Sequence, residues 1–422
     1  MTAGPPTPLS GEDLAILGAE SSTIAGHTCK VIVVENAEGG PPSLDDLRQH
    51  IASRLPRVPR CCQCLSLEPS PRWVSGSGLE LDAHVRLAPT GEDVAGATAR
   101  AMAGRLDRGR PLWDLELLPD AGDGRWAMVW RVHHAMADGM TMIRWAADLF
   151  WDSRPEGGRR SATPVPVSPA ARRGATWAAG ARTAVSVLRE LRPSTGPTPF
   201  EGRVGRHRQV AFARCRLEDL RHIEHRAGEG VTVNDVVLAT VAGAIRRWCR
   251  ERGAPVEAAR VKVPVSMHHE GPAADQPGNR DSFMFVDLPL SEPDPWARVR
   301  AVNSETRERK THHDAEAVYD VLEGVQRVAP PVARLASRVL VNPREFALNI
   351  SNVPGPRSEV RLLGGRVAEL YSVAEISPRH ALRIAAISLA GAMQFGLCAD
   401  PDAVPGLEML AAGIEASVNE LR

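Results

Sequence analysis

The chain has 422 residues, which is too long for one ordinary hydrophobic core and suits two or three packed subdomains. Its hydrophobic fraction of 43% and charged fraction of 24% are typical of a globular protein. Basic and acidic residues number 51 each, so the chain lacks the overall basic excess that would indicate a nucleic-acid partner.

Residues 1–152 alternate between strand and helix patterns and are predicted to form an N-terminal α/β subdomain. Residues 1–9 lack the basic and apolar regions of a signal peptide, so we expect a cytoplasmic protein. The β-branched run at 30–35 predicts a strand, and Ser43 with its following acidic residues predicts a helix start. Residues 125–133 alternate as a strand, and the flanking stretches 94–107 and 139–150 suit helices.

Residues 153–207 differ in composition, because Pro, Gly, Ser and Arg accumulate on both sides of an apolar stretch near 174–191. This pattern is typical of a linker with one helix, and we place the domain boundary here. The stretch 170–192 fits either an ordinary solvated helix or an interfacial helix that attaches the protein peripherally to a membrane or lipid droplet. No stretch has the roughly 18 largely apolar residues that a membrane-spanning helix needs.

Residues 208–422 again mix strands and helices and are predicted to form a C-terminal subdomain. Strands are expected at 209–213, 260–265 and 283–286, and a capped helix is expected to begin at Thr232. Residues 381–389 and 393–398 predict a hairpin late in the chain.

Three His-His pairs occur, at 133–134, 268–269 and 312–313. Only the first is followed by Asp and Gly at the spacing H-H-x-x-x-D-G, which uses Asp138 and Gly139. The other two pairs have alanine at the Asp position, so we interpret them as surface histidines.

His134 is the candidate catalytic residue, with His133, Asp138 and Gly139 as its supporting motif. It follows a predicted strand, which can hold the side chain at a cleft, and imidazole accepts protons near neutral pH. Asp138 suits a helix N-terminus, and Gly139 removes side-chain bulk at the turn. Two adjacent histidines at a strand end point to opposite faces, which disfavours joint zinc ligation. A structural core histidine is the alternative.

The sequence lacks the motifs of other common catalytic and nucleotide-binding sites. The chain contains no G-x-S-x-G, no G-x-x-x-x-G-K-S/T and no G-x-G-x-x-G, so neither a hydrolase nucleophile nor a nucleotide-phosphate loop is indicated. The seven cysteines, including the cluster Cys61, Cys62 and Cys64, match no disulfide or zinc spacing, and we expect no metal. A base without an evident covalent nucleophile indicates direct attack by an activated acceptor.

At this point the chain resembles the bacterial wax ester synthase/diacylglycerol acyltransferase family, almost from end to end. Short blocks carry the resemblance, in the family's order: Asp82-Ala83-His84-Val85-Arg86, Pro111-Leu112-Trp113, His133-His134 with Asp138-Gly139, Asn234-Asp235, Pro264-Val265-Ser266, Gly278-Asn279-Arg280, Leu288-Pro289, Ser351-Asn352-Val353-Pro354-Gly355-Pro356, and Phe395-Gly396-Leu397 with Asp400.

This resemblance implies a fold like that of chloramphenicol acetyltransferase and peptide-synthetase condensation domains. We therefore expect an α/β (α+β) protein with two such subdomains, each a mixed sheet flanked by helices, and an active-site tunnel between them. The implied reaction moves a fatty acyl group from acyl-CoA, as co-substrate and without a cofactor, to diacylglycerol or a long-chain alcohol. His134 would deprotonate the acceptor hydroxyl, while His133 and Asp138 would hold the loop.

The same resemblance makes Asn234, Asp235, Ser351 and Asn352 candidates for the substrate cleft. For the Asn-Asp pair, a plain helix-start role is the alternative. For the Ser-Asn pair, the alternative is turn geometry.

Three departures from the family concern the acceptor more than the reaction. The chain has Ser388-Leu389 where the family commonly has Ser-Tyr, lacks a Gly-containing turn at 377–380, and carries the unusual cysteine cluster. A specialised-metabolite hydroxyl is therefore an alternative acceptor. A catalytically inactive lipid-binding homologue is the alternative of another class.

Overall fold

The computed structural model describes residues 6–37, 39–76, 79–153, 198–266, 281–311 and 346–422. The predicted linker helix near 174–191, the interfacial stretch 170–192 and the histidine pairs at 268–269 and 312–313 lie outside the described residues.

Strands and helices alternate through the first half of the chain. The strands are β1 (Thr7–Pro8), β2 (His27–Glu35), β3 (Gln63–Ser66), β4 (Arg72–Ser75), β5 (Val85–Leu87), β6 (Trp113–Leu118) and β7 (Arg125–His133). The helices are α1 (Gly11–Ala19), α2 (Leu44–Arg54), α3 (Leu81–His84), α4 (Val94–Ala103) and α5 (Gly139–Leu149), with short 3-10 turns at Leu55–Arg57 and Pro59–Cys62.

The described part of the second half also mixes both element types. Its strands are β8 (Gln209–Arg216), β9 (Ala258–Ser266), β10 (Asp281–Pro289), β11 (Leu348–Val353), β12 (Arg361–Leu362), β13 (Gly365–Ala374), β14 (Leu382–Leu389) and β15 (Ala392–Ala399). Its helices are α6 (Leu217–Ala227), α7 (Val233–Glu251), α8 (Pro295–Thr311) and α9 (Leu407–Glu420).

Two six-stranded sheets organise the described residues, beside a small sheet of order β1-β4-β3. The first large sheet has the order β12-β13-β2-β7-β6-β5, and the second has the order β10-β9-β11-β14-β15-β8. Both are mixed, because β5 and β6 pair in parallel in the first, and β11 pairs in parallel with β9 and β14 in the second. The predicted mixed α/β architecture is confirmed.

The chain returns to the first sheet late in its course. Strands β12 and β13 come from the predicted C-terminal subdomain, 208–422, yet β13 pairs with β2 over Val367–Ala374 and Thr28–Val34. Sheet membership therefore does not follow chain order, and the boundary at 153–207 stays a prediction.

Three buried clusters hold these layers together. One lies between the second sheet and its helices, and joins Val237 of α7 to Ile384 of β14. Another covers one face of the first sheet, where Trp130 of β7 shares the core with α2 and α5. The third joins Val129 of the first sheet to Val210 and Cys398 of the second, so the two sheets meet directly.

Local sequence signals account for several element boundaries. Ser43 and Thr232 both form capping boxes, the first with Asp46 and the second with Asp235, as expected where a hydroxyl side chain begins a helix. The predicted hairpin near residue 390 is confirmed, because β14 and β15 pair antiparallel from Leu382↔Ala399 to Leu389↔Ala392.

Two boundaries differ from the predictions. The helix predicted at 94–107 ends at Ala103, where Gly104 is the extended C-cap residue and the guanidinium of Arg131 donates to the carbonyls of Ala101 and Gly104. The block that resembles an early strand of the family, 82–86, begins instead as helix α3 and becomes a strand only at Val85.

Among the described helices, none has both the length and the apolar character needed to cross a bilayer.

Candidate active site

The H-H-x-x-x-D-G motif forms one tight turn between β7 and α5. β7 ends at His133, and the backbone N–H of Met136 donates back to the His133 carbonyl at 2.8 Å. Asp138 is the N-cap of α5, and its Oδ1 accepts from the N–H of Thr141 at 2.6 Å. The motif therefore connects a buried strand to a helix N-terminus, where a carboxylate is electrostatically favoured.

His134 is half-buried at the start of this turn, and its backbone N–H donates to the carbonyl of Gly26 at 2.9 Å. Burial lowers the pKa of the imidazole to about 4, and the charge of Arg383 lowers it further, whereas the carboxylate of Asp138 opposes the shift. The imidazole is therefore neutral near pH 7 and can accept a proton.

His133 has a different environment, on the opposite side of the strand end. The backbone N–H of Ala135 donates to its Nδ1 at 3.1 Å, so Nε2 carries the hydrogen and donates to Glu20 Oε1 at 2.7 Å. Arg108 lies 3.0 Å from the same Glu20 oxygen. Burial raises the pKa of Glu20, but the hydrogen bonds from His133 and Arg108 outweigh it, and the net pKa is lowered. An ionised carboxylate thus fixes the His133 ring.

The second sheet forms the wall opposite the motif turn. Ile387 of β14 shares a buried cluster with residues 135–137 of the turn. Val353 of β11 approaches Gly139 so closely that a Cβ on the glycine would lie 3.3 Å from its Cγ2. Arg383 lies on the same face of β14 as Ile387, because side chains alternate along a strand. The motif turn, and with it His134, therefore lies where the two sheets meet.

The four cleft candidates from the second half of the chain separate into different environments. In β11, Ile350 faces the helices of the second sheet, so alternation points Asn352 to that side and Ser351 towards the first sheet. Asn352 Nδ2 donates to Asn234 Oδ1 at 3.4 Å, which brings two of the candidates together at the start of α7.

Asp235 has a helix-start role in the structure. It is fully buried, closes the capping box with Thr232, and accepts from Asn303 Nδ2 at 3.0 Å and Thr306 Oγ1 at 2.7 Å. These contacts join α7 to α8 and correspond to the alternative interpretation of this residue. They give no support for its interpretation as a cleft residue.

Nothing in the sequence indicates that Lys30, at the start of the predicted strand 30–35, is buried. Lys30 has no exposed surface, and its Nζ donates to Ser372 Oγ of β13 at 2.8 Å. Burial lowers its pKa to about 8, while the nearby charge of Asp138 opposes the shift. The lysine links β2 to the late strand β13 and lies near enough to Asp138 to interact with its charge.

The described residues contain no group of three or more His, Cys, Asp or Glu side chains arranged to hold a metal ion. Burial raises the pKa of the thiols of Cys61, Cys62 and Cys64, so these side chains are protonated at neutral pH. The cysteine cluster therefore has the character of packed side chains.

Similarities in sequence extend along nearly the whole chain. The wax ester synthase/diacylglycerol acyltransferase catalytic domain matches residues 9–237, and the C-terminal domain of the same family matches residues 277–422. Tgs1 of Mycobacterium tuberculosis strain H37Rv, named a probable diacylglycerol O-acyltransferase, is 30% identical over 415 residues, with 91% of this chain and 89% of Tgs1 covered.

Similar solved structures show the same fold. The wax ester synthase/diacylglycerol acyltransferase from Marinobacter aquaeolei VT8 gives a TM-score of 0.73 at 22% identity, with 98% of both chains covered. The first condensation domain of the CDA synthetase gives a TM-score of 0.62 at 17% identity, with 99% of this chain and 96% of that chain covered. These likenesses confirm the predicted condensation-like fold with two sheets.

Proposed function

The chain belongs to the wax ester synthase/diacylglycerol acyltransferase family and is an acyltransferase, and on this premise we propose that it moves a fatty acyl group from acyl-CoA to the hydroxyl of diacylglycerol or of a long-chain alcohol. His134 is the general base of this proposal. The observation that carries it is the position of His134, which follows β7 where the two sheets meet and whose backbone N–H donates to the Gly26 carbonyl at 2.9 Å.

The proposed reaction is a direct transfer in a ternary complex. His134 accepts the proton of the acceptor hydroxyl as the oxygen attacks the thioester carbonyl. The carbon–sulfur bond then breaks, and the imidazolium gives the proton to the leaving thiolate. Base assistance of this kind accelerates a reaction by about 100- to 10,000-fold, and holding both substrates in place supplies much of the remainder.

Arg383 adjusts the basicity of His134 in this proposal. A cation near His134 disfavours the imidazolium, so it makes the imidazole a weaker base in the first step and favours return of the proton to the thiolate in the second. Because diacylglycerol resides in lipid phases, the proposal also includes peripheral attachment of the protein to a lipid surface.

The experiment that tests the function is an acceptor panel with one labelled long-chain acyl-CoA. We expect labelled ester with diacylglycerol, hexadecanol or both. Hydrolysis of the thioester without ester formation from any acceptor would contradict the proposal. Ester formation only with non-lipid hydroxyl compounds would favour a specialised-metabolite acceptor.

The pH profile provides a prediction about His134 itself. Since burial and Arg383 lower its pKa to about 4, we expect the acid limb of kcat/KM near pH 4 rather than near the ordinary histidine value of about 6.5. Arg383→Gln removes one cause of the shift, so its acid limb should move to higher pH, while Asp138 and His133 remain as neighbours. Far-UV circular dichroism at each pH separates titration from unfolding. An acid limb near 6.5 in the unaltered protein would contradict the lowered pKa of His134, and the absence of any acid limb between pH 4 and 7 would contradict its role as the base.

Replacing Glu20 with glutamine should lower kcat by about tenfold or more, with a smaller change in KM. The amide preserves the size of the side chain but removes the charge that pairs with His133 and Arg108, and so loosens the ring next to His134. Steady-state kinetics measures both constants. Glu229→Gln alters an exposed glutamate and serves as the matched control. Equal kcat in the two variants would show that the Glu20 contact has no role in turnover.

A further inference from the structure

A buried ion pair joins the two sheets of the protein. Arg208 Nε lies 2.8 Å from Glu375 Oε1, and the two side chains are 1% and 5% exposed. Arg208 immediately precedes β8 of the second sheet, whereas Glu375 immediately follows β13 of the first sheet. The pair therefore spans the interface between the sheets.

Both members of the pair also hold residues 23–27, a short segment that ends at the first residue of β2. The N–H of Ala25 donates to Glu375 Oε2 at 3.3 Å, and the N–H of Glu375 donates to the carbonyl of His27 at 3.2 Å. Arg208 Nη2 donates to the carbonyl of Thr23. The segment is thus bonded at three points along five residues.

The segment 23–27 is also where the two motif histidines rest. The backbone N–H of His134 donates to the Gly26 carbonyl at 2.9 Å. Gly26 has a φ of +72°, and a Cβ at this position would lie only 2.9 Å from His133 Nε2. A shift of the segment would therefore displace both histidines.

The pair is connected to the opposite wall as well. Arg383 Nη1 donates to the backbone carbonyl of Glu375 at 3.0 Å, and the charge of Arg383 acts on His134. Burial raises the pKa of Glu375, and Arg208 opposes this rise. Since a buried ion pair is often no more stabilising than apolar side chains of similar volume, stability alone gives little reason for charges at this position.

We propose that Arg208 and Glu375 are positioning residues for His134, and that they fix the segment 23–27 so that the imidazole is held against the wall formed by the second sheet. This inference rests on the proposed function, because it concerns the geometry of the proposed base. The pair acts through the segment and through the backbone of His134.

The test separates positioning from stability by comparing three variants in kinetics and thermal unfolding. Arg208→Met leaves a buried carboxylate without its cation and should lower both Tm and kcat. The double variant Arg208→Met with Glu375→Leu removes both charges, so Tm should recover towards that of the unaltered protein. Its kcat should stay lower by at least about tenfold, with KM for acyl-CoA nearly unchanged, because small displacements of a catalytic group are costly.

Arg208→Lys provides a milder variant in case the double variant does not fold. Lysine preserves the charge opposite Glu375 but lacks the planar fork that reaches the carbonyls of Thr23 and Gly205, so kcat should fall while Tm changes little. Arg260→Lys at the Arg260–Asp287 pair, at the β9–β10 edge, is the matched control and should leave kcat unchanged.

Recovery of kcat together with Tm in the double variant, or an unaltered kcat in Arg208→Lys, would overturn the inference and leave the pair a purely structural role. If the proposed function itself were wrong, the His134→Ala variant would remain active. An inactive His134→Ala beside a fully active Arg208→Lys would reject the positioning role alone.

Discussion

Replacing His134 with alanine is expected to lower kcat for acyl transfer by about 100- to 10,000-fold. The imidazole is the proposed proton acceptor, and its pKa of about 4 keeps it in the accepting form at neutral pH. The backbone N–H of His134 donates to the Gly26 carbonyl and holds the motif turn in place. Alanine keeps this backbone hydrogen bond. Tm should therefore change little.

His222→Ala is the matched control, because this histidine is exposed on α6. It should retain the kcat and Tm of the unaltered protein. A folded His134→Ala protein with full activity would remove His134 from the mechanism.

Replacing Gly355 with alanine should lower the free energy of unfolding by at least about 2 kcal/mol. A Cβ on Gly355 would lie 2.0 Å from the Ser388 carbonyl oxygen and 3.1 Å from Ile387 Cγ1, so β14 would have to move. The N–H of Gly355 also donates to Ser388 Oγ at 3.1 Å. Because Ile387 packs with the motif turn, kcat should fall as well. Urea unfolding and kinetics on the same sample measure both effects.

Gly18→Ala is the control for glycine replacement, since a Cβ at this position in α1 meets nothing within 4 Å. Alanine favours helix over glycine by about 0.5–1 kcal/mol, so this variant should be as stable as the unaltered protein or slightly more stable. Unchanged stability in Gly355→Ala would show that the segment after β11 and strand β14 tolerate a wider separation.

Local patterns in the sequence predict the elements that position His134. Alternation of Trp126, Met128, Trp130 and Val132 predicts one buried face of β7, and all four side chains share the core that contains α2 and α5. The Asp-Gly spacing predicts the start of α5, where Asp138 is the N-cap. These features are local, so a single sequence contains the information.

Local sequence patterns do not predict contacts between residues that are distant in the chain. Glu20 meets His133 across 113 residues, and Ala25 meets Glu375 across 350 residues. Neither glutamate lies in a motif, so only the fold identifies them. The return of β12 and β13 to the first sheet is not predicted either. A β-branched composition predicts that a segment is a strand but not which strands it pairs with.

Glycines in the family blocks gain a physical explanation from the structure. A Cβ on Gly396 of β15 would lie 2.2 Å from the carbonyl oxygen of Ser372, so the late strands of the two sheets could not approach as they do. Gly139 similarly allows the motif turn to lie close to β11, and Gly355 allows the segment after β11 to lie close to β14. Sequence alone shows these glycines in their blocks but not the backbone that each one meets.

The central claim is that the acyl group passes directly from the thioester to a hydroxyl that His134 has activated. The most direct measurement mixes the protein with acyl-labelled acyl-CoA and diacylglycerol, stops the reaction by denaturation during the first turnover, and locates the label. We expect label in the ester product and in remaining acyl-CoA, with none bound to the protein, and no ester from His134→Ala. Label attached covalently to the protein in stoichiometric amount, and then transferred to the acceptor, would contradict the claim.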